Sequence, residues 1–89
     1  MVFFNSADST GRGEFWQNFN ESNANPAKGI VASICELGFE GIPQAGDAVM
    51  TVHNVVPVNG QIAFRISIKR TDGSDWPNDL HYRVIYAIG

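Results

Sequence analysis

The sequence predicts an all-β fold: a small antiparallel β-sandwich forming a single domain over residues 1–89. Three observations carry that expectation. Several segments alternate apolar and polar residues with a period of two, turn-forming Gly, Pro, Asn and Asp residues separate them, and no convincing helical stretch competes. A chain of 89 residues buries only about 60–65% of its unfolded surface, so the core must be small. A hydrophobic content of 44% is ordinary for a folded globule, and two tryptophans, two tyrosines and six phenylalanines concentrate apolar area at few positions.

From the N-terminus, Met1 to Phe4 reads as a short strand and Asn5 to Gly13 as a polar loop punctuated by Gly11 and Gly13. Glu14 to Phe19 fits either a strand or a single helical turn, because Phe15 and Phe19 stand four residues apart. Asn20 to Pro26 is loop, and the glycosylation-type triplet Asn20-Glu21-Ser22 within it reads as accidental. Gly29 to Leu37 is an apolar strand on both faces, with Ile30, Ala32 and Ile34 on one side and Val31, Cys35 and Leu37 on the other.

Asp47 to Val56, rich in valine and threonine, is the next strand, with Pro57 marking its edge or end. Asn59-Gly60 then supplies a hairpin turn suited to type I′, since both residues tolerate positive φ. Gln61 to Lys69 follows with the clearest alternation in the chain: Ile62, Phe64, Ile66 and Ile68 against Ala63, Arg65, Ser67 and Lys69. A long polar loop runs from Arg70 to Asp79, with Asp72-Gly73 as its turn. The last strand, Leu80 to Ile88, sets Leu80, Tyr82, Val84, Tyr86 and Ile88 against His81, Arg83 and Ala87.

The two-sided apolar character of Gly29–Leu37 bears on assembly. A strand of a two-layer fold normally shows one face to water. A second apolar face needs cover, from a neighbouring subunit or from the chain's own N-terminal segment. Homo-oligomerisation is therefore expected.

Charge excludes some partners. With Lys+Arg at 6 and a net charge of −3, the chain lacks the basic field that phosphate binding requires, so no nucleic-acid partner is expected. The cations are dispersed as Arg12, Lys28, Arg65, Lys69, Arg70 and Arg83, and no basic amphipathic helix points to membrane insertion. Cys35 is the only cysteine; an intrachain disulfide is excluded, and in its apolar run it reads as an inert thiol. Met1-Val2-Phe3-Phe4-Asn5 lacks the features of a signal peptide, which places synthesis in the cytosol. A role outside the cell would then require lysis, a non-standard route or incorporation into a virion.

Catalysis finds little support. His53 and His81 are distant in sequence, no metalloprotease, serine-hydrolase, Cys-x-x-Cys or P-loop motif is present, and no catalytic residue, cofactor or metal ligand is assigned. Asp72-Gly73-Ser74-Asp75 lacks the later glutamate of an EF-hand. The informative residues are Trp16 and Trp76, both set among polar neighbours. A sugar presents an apolar C–H face and a rim of hydroxyls, which a stacking aromatic with nearby Asp, Asn or Arg recognises. Trp76 with Asp75, Asn78 and Asp79 meets that need within one loop. Equally, Trp76 can cap the end of the core while Asp75 and Asn78 shape the turn.

The run Val31-Ala32-Ser33-Ile34-Cys35-Glu36-Leu37, the hairpin from Ala48 to Phe64, Trp76-Pro77-Asn78 and Tyr82 six residues after the tryptophan resemble the H-type lectin domain across residues 26–89. The resemblance implies a trimeric antiparallel β-sandwich that binds N-acetylgalactosamine-type or related sugars at subunit boundaries. It places the family's loop tryptophan on Trp76, its nearby asparagine on Asn78 and the last-strand aromatic on Tyr82. Pro77 occupies a polar position of that pattern, the family's strand arginine has no match near Thr51, and the loop before Trp76 is longer.

The expectation is therefore a non-enzymatic, lectin-like module whose carbohydrate site comprises Trp76, Asn78 and Asp79, supported by Asp75 and Tyr82. The alternative is a virion component, a tail-fibre tip or capsid decoration protein, that assembles with other virion proteins or attaches to a host.

Overall fold

The computed structural model describes residues 3–89. The chain forms β1 (Phe3–Gly11), β2 (Gly13–Asn20), β3 (Ile30–Leu37), a 3-10 turn (Phe39–Gly41), β4 (Pro43–Gln44), β5 (Ala48–Val58), β6 (Gln61–Arg70) and β7 (Leu80–Ile88). All pairings are antiparallel and fall into two sheets, one in the order β1-β7-β3-β4 and the other β2-β6-β5. Among the described residues there is no α-helix.

The strongest alternations in the sequence occupy the interior positions of these sheets. β6 lies between β2 and β5, and β7 between β1 and β3, so both have their backbone groups paired on either side. Ile62, Phe64, Ile66 and Ile68 of β6 and Tyr82, Val84, Tyr86 and Ile88 of β7 form one buried cluster between the sheets. Each such side chain contributes about 1.5–3 kcal/mol when removed from water. Phe64 and Tyr86 meet with ring centroids 5.8 Å apart, and Phe15 and Phe19 close the cluster from β2. β2 thus realises the strand reading of Glu14–Phe19: paired with β6 along its length, it turns Phe15, Gln17 and Phe19 inward.

Four expectations need correction or completion. The segment Asn5–Gly13, read as a polar loop, belongs mostly to β1, which pairs with β7 from Phe3↔Ile88 to Gly11↔Leu80. Its small and polar side chains suit an edge strand with a wet outer face, and the ladder to β7 supplies the order that local propensity did not signal. Met1 and Val2, placed at the start of that strand by the sequence, lie outside the described residues. The chain then crosses from one sheet to the other at Arg12, where Gly13 takes φ +69°.

The Asn59-Gly60 hairpin is present, but only Gly60 has positive φ, so the turn is not type I′. Gly60 is held from outside: its N–H donates to the Ala24 carbonyl at 3.0 Å, and its carbonyl accepts from the Glu21 N–H at 2.9 Å. β5 continues through Pro57 to Val58 as an edge strand, and carries a bulge between Val52 and Asn54 that leaves His53 as the extra residue.

β3 buries Ile30, Ala32 and Ile34 against the core cluster, as its pattern requires. On its outer face Leu37 is buried, whereas Val31 is 77% exposed. The described N-terminal segment does not cover that face, because β1 lies in the same sheet on the far side of β7.

Candidate functional site

The loop between β6 and β7 is fixed by its own charges. Asp72 accepts from the Ser74 N–H at 2.9 Å and the Ser74 hydroxyl at 2.6 Å, which holds its carboxyl below the usual range and shapes the turn at Gly73. Asp75 pairs with Lys69 Nζ at 2.5 Å, and Asp79 lies 3.6 Å from Arg12 Nε. The Arg12 guanidinium also donates to the Pro77 carbonyl. Asn78 is exposed.

Trp76 is half-buried and packs against the core, with the Arg70 guanidinium 4.9 Å from its ring centroid. Its Nε1 is buried without a hydrogen-bond partner among the described residues. The structure therefore brings Asp75, Trp76 and Asp79 together in one loop but gives each an intramolecular partner. Tyr82 is a correction to the predicted set. It is 0% exposed, its ring lies 6.0 Å from that of Phe15, and it faces the interior because inward positions of β7 alternate from Leu80 to Ile88. It supports the fold and presents nothing to a ligand. Burial accordingly raises its hydroxyl pKa.

Trp16 stands on the outer face of β2, 51% exposed, opposite Arg65. Beside it Glu14 binds Arg65 Nη2 at 3.0 Å, and His53 Nε2 lies 3.8 Å from Glu14. The hydrogen bond from Arg65 lowers the Glu14 pKa. This is a flat, salt-bridged surface.

A concavity lies elsewhere, at the end of the four-stranded sheet where β1 and β3 finish and β7 begins. A groove of about 590 Å³ is lined there by Asp8, Thr10, Glu36, Phe39, Glu40 and His81, with Gln44 and Leu80 among its further walls. That volume is within the range of small-molecule sites, about 300–1,000 Å³. Its outer wall is the turn after β3. The Gly38 N–H donates to the Ile42 carbonyl at 2.8 Å, closing a tight loop that returns the chain to pair Glu36 with Gln44 and Leu37 with Pro43.

Within that loop Glu40 has φ 64° and Gly41 φ 71°. A non-glycine residue in this left-handed region costs of order 1–2 kcal/mol and marks a backbone held by its surroundings. The result is that Phe39 projects into solvent, 96% exposed, at the rim of the groove.

The polar walls are individually positioned. Asp8 receives Arg83 in a two-point pair at 2.7 and 3.0 Å, and this hydrogen bonding holds its carboxyl below the usual range. Arg83 also reaches toward the Gly41 carbonyl at 3.5 Å, linking β7 to the loop. Glu36 Oε2 accepts from Gln44 Nε2 at 2.5 Å, while Oε1 is buried and has no partner among the described residues. The groove thus combines an open aromatic face with hydroxyl, carboxylate, amide and imidazole groups. Among the described residues no cluster of His, Cys, Asp and Glu has the arrangement of a metal site.

The predicted site residues and the groove are different parts of the molecule. The signal that could have found the groove is Gly38-Phe39-Glu40-Gly41-Ile42-Pro43. Here two large apolar residues sit in a segment too broken by Gly and Pro to be a strand, with no periodic partners to bury them. No protein-family model, curated protein or solved structure matches this chain.

Proposed function

We propose that this protein is a non-catalytic carbohydrate-binding module, a small antiparallel β-sandwich that holds a sugar in the groove beneath Phe39. The observation that carries the reading is the pairing of a 96% exposed phenylalanine with a groove of about 590 Å³ whose mainly apolar lining is set with hydroxyl, carboxylate, amide and imidazole groups. A pyranose needs an aromatic surface for its C–H face and convergent acceptors and donors for its hydroxyls. Phe39 provides the first, and Thr10, Glu36, Glu40, Gln44 and His81 the second. The likeness of residues 26–89 to the H-type lectin domain points to the same ligand class, although it places the sugar at Trp76 and Asn78 rather than at Phe39.

A glycan array followed by titration calorimetry tests the reading. Phe39→Ala is expected to weaken binding at least tenfold, and Asn78→Ala to leave it unchanged. The reverse pattern would move the site to the Trp76 loop. Absence of binding to any glycan would remove the function altogether.

Self-association completes this reading, through the outer face of β1, β7 and β3. Phe4 is 75% and Val31 77% exposed there, on either side of Ala87, with Ile85 in the next row. The row Phe4–Ala87–Val31 lies toward the opposite end of this sheet from the groove residues Thr10 and His81, so copies can meet there without covering the groove. Further copies of the chain are the occupant we assign, as the trimer implied by the lectin likeness, and linked sites raise avidity. Light scattering of the wild type and of Ile85→Glu tests this: an oligomer that the variant dissociates supports it, and a wild-type monomer at micromolar concentration overturns it. The same apolar face is what favours the second reading, a virion component built from repeated copies that attaches to a host.

A further inference from the structure

We infer that Asn59 is a latent deamidation site, and that the loop carrying Glu21 and Ala24 is the latch that keeps it intact. The chemistry needs only the chain and water. The Gly60 backbone nitrogen attacks the side-chain carbonyl carbon of Asn59; a new C–N bond forms and the side-chain amide C–N bond breaks. The Gly60 N–H proton leaves with the amide nitrogen as ammonia, and a five-membered succinimide remains. Water then opens the ring at one of its two carbonyls, giving aspartate or isoaspartate. Asparagine is among the thermolabile residues, and a following glycine is the most permissive neighbour because no Cβ shields the attacking nitrogen. Both residues are exposed in the turn between β5 and β6. A Cβ built on Gly60 would meet nothing within 4 Å, so water reaches the ring.

A remote loop restrains what the open turn exposes. The Gly60 N–H donates to the Ala24 carbonyl at 3.0 Å, and the Gly60 carbonyl accepts from the Glu21 N–H at 2.9 Å. The first bond holds the proton that must leave. Together they fix the peptide planes that must rotate before the nitrogen meets the Asn59 side chain. Glu21 and Ala24 are buried, and the Glu21 carboxylate is tied to Asn5 of β1 and Tyr86 of β7. The latch on a turn of one sheet is therefore anchored in the other. The Asp72-Gly73 pair, capable of the same ring closure with loss of water, is instead held within its own loop. There the Gly73 N–H donates to the Arg70 carbonyl at 2.9 Å, and Ser74 occupies the Asp72 carboxylate. Once the Asn59 succinimide forms, Gly60 has no N–H to return to Ala24. Isoaspartate then adds a methylene to the main chain between Val58 and Gln61, which face one another across the hairpin. The modification removes the restraint that delayed it, and so runs one way.

Peptide-resolved mass spectrometry during incubation at mildly alkaline pH tests the inference, with the folded protein and the same chain in concentrated urea side by side. Asn59 is expected to deamidate at least tenfold more slowly in the folded protein. Tyr86→Phe and Asn5→Ala, which each remove one donor from the Glu21 carboxylate, should speed the reaction at least threefold under native conditions. Gly11→Ala is the control: it disturbs the core at Phe15, away from the latch, and should leave the rate near that of the wild type. If Gly11→Ala accelerates the reaction as much as Tyr86→Phe does, global unfolding rather than the latch sets the rate, and the inference fails. A folded wild type that deamidates as fast as the chain in urea overturns it without any variant.

Discussion

The Tyr86 hydroxyl donates to Glu21 Oε1 at 2.9 Å, and Glu21 is 5% exposed with no ion-pair partner among the described residues. It is held instead by neutral donors. Asn5 Nδ2 reaches the same oxygen at 3.0 Å, while the Asn23 N–H and Asn23 Nδ2 each reach Oε2 at 3.0 Å. The cage joins β1 through Asn5 and β7 through Tyr86. Through the backbone bonds of Glu21 and Ala24 to Gly60 it also joins the β5–β6 turn of the opposite sheet. This loop is therefore a clamp between the two sheets. Tyr86→Phe is expected to cost about 1.5–3 kcal/mol, the range for a hydrogen bond to a charged acceptor. Glu21→Ala should cost more, since it leaves donors on three segments, the buried Tyr86 hydroxyl among them, without their acceptor. Urea unfolding measures both, and a Glu21→Ala variant as stable as the wild type would remove the clamp.

The same cage makes stability depend on pH at both ends of the scale. Hydrogen bonds from Asn5, then from Asn23 and Tyr86, lower the Glu21 pKa from 4.5 to about 2. A depressed carboxyl stabilises the fold above about pH 4.5, and that contribution, of order 3 kcal/mol, is lost as the pH falls toward 2. Burial, together with the neighbouring Glu21 charge, raises Tyr86 from 10.0 to about 12. Its neutral form is the stabilising one, so the fold weakens again as the pH climbs from 10 to 12. Denaturation midpoints across pH 2–7 should show the acid loss in the wild type and a flatter profile in Glu21→Gln. Parallel profiles would exclude Glu21 as the cause.

How much of this could be read beforehand follows from where the apolar residues fall. β6 and β7 announce themselves because an interior strand facing a core must alternate, and Ile62 through Ile68 and Leu80 through Ile88 do. β1 escaped notice because Asn5, Ala7 and Ser9 turn no large side chain inward; its order comes from β7, a partner more than seventy residues away in the chain. Glu21 carried no signal beyond its place in Asn20-Glu21-Ser22, since a buried anion solvated by neutral donors exists only once three separate segments meet. Tyr82 sits at an inward position of an alternating strand, and that alternation alone pointed to the core. The groove needed the ends of β1, β3 and β7 side by side, a juxtaposition that no single stretch of sequence encodes.

Gly11 is required by a close approach rather than by its backbone angles. A Cβ built there would lie 2.4 Å from Cζ of Phe15, whose ring packs against Tyr82. Gly11→Ala must push that ring into a filled core, at an expected cost of about 1–3 kcal/mol. Gly29, where an added Cβ meets nothing within 4 Å, is the control, and Gly29→Ala should fall within about 0.5 kcal/mol of the wild type. Equal effects at the two positions in thermal unfolding would show that the Phe15 contact is not what Gly11 protects.

Trp76 separates packing from recognition. Its indole closes the core beneath the loop, yet its N–H is buried with no acceptor among the described residues, and the Arg70 guanidinium lies 4.9 Å from the ring centroid. Two effects oppose one another in Trp76→Phe. The smaller ring loses contact area, but the change also removes a stranded donor whose burial costs about 1–3 kcal/mol. The two should nearly cancel, leaving stability within about 1 kcal/mol of the wild type. Trp76→Ala keeps only the second benefit and opens a cavity, so a net loss of about 2–3 kcal/mol is expected. Arg70→Ala should cost no more than about 1 kcal/mol, the scale of an exposed cation–π contact. Fluorescence reports the environment directly: in Trp16→Phe the remaining emission comes from Trp76 and should resist acrylamide. Emission readily quenched in that variant would show the indole open to solvent, and with it the loop around Asp75 and Asn78 would return as the place where a sugar stacks.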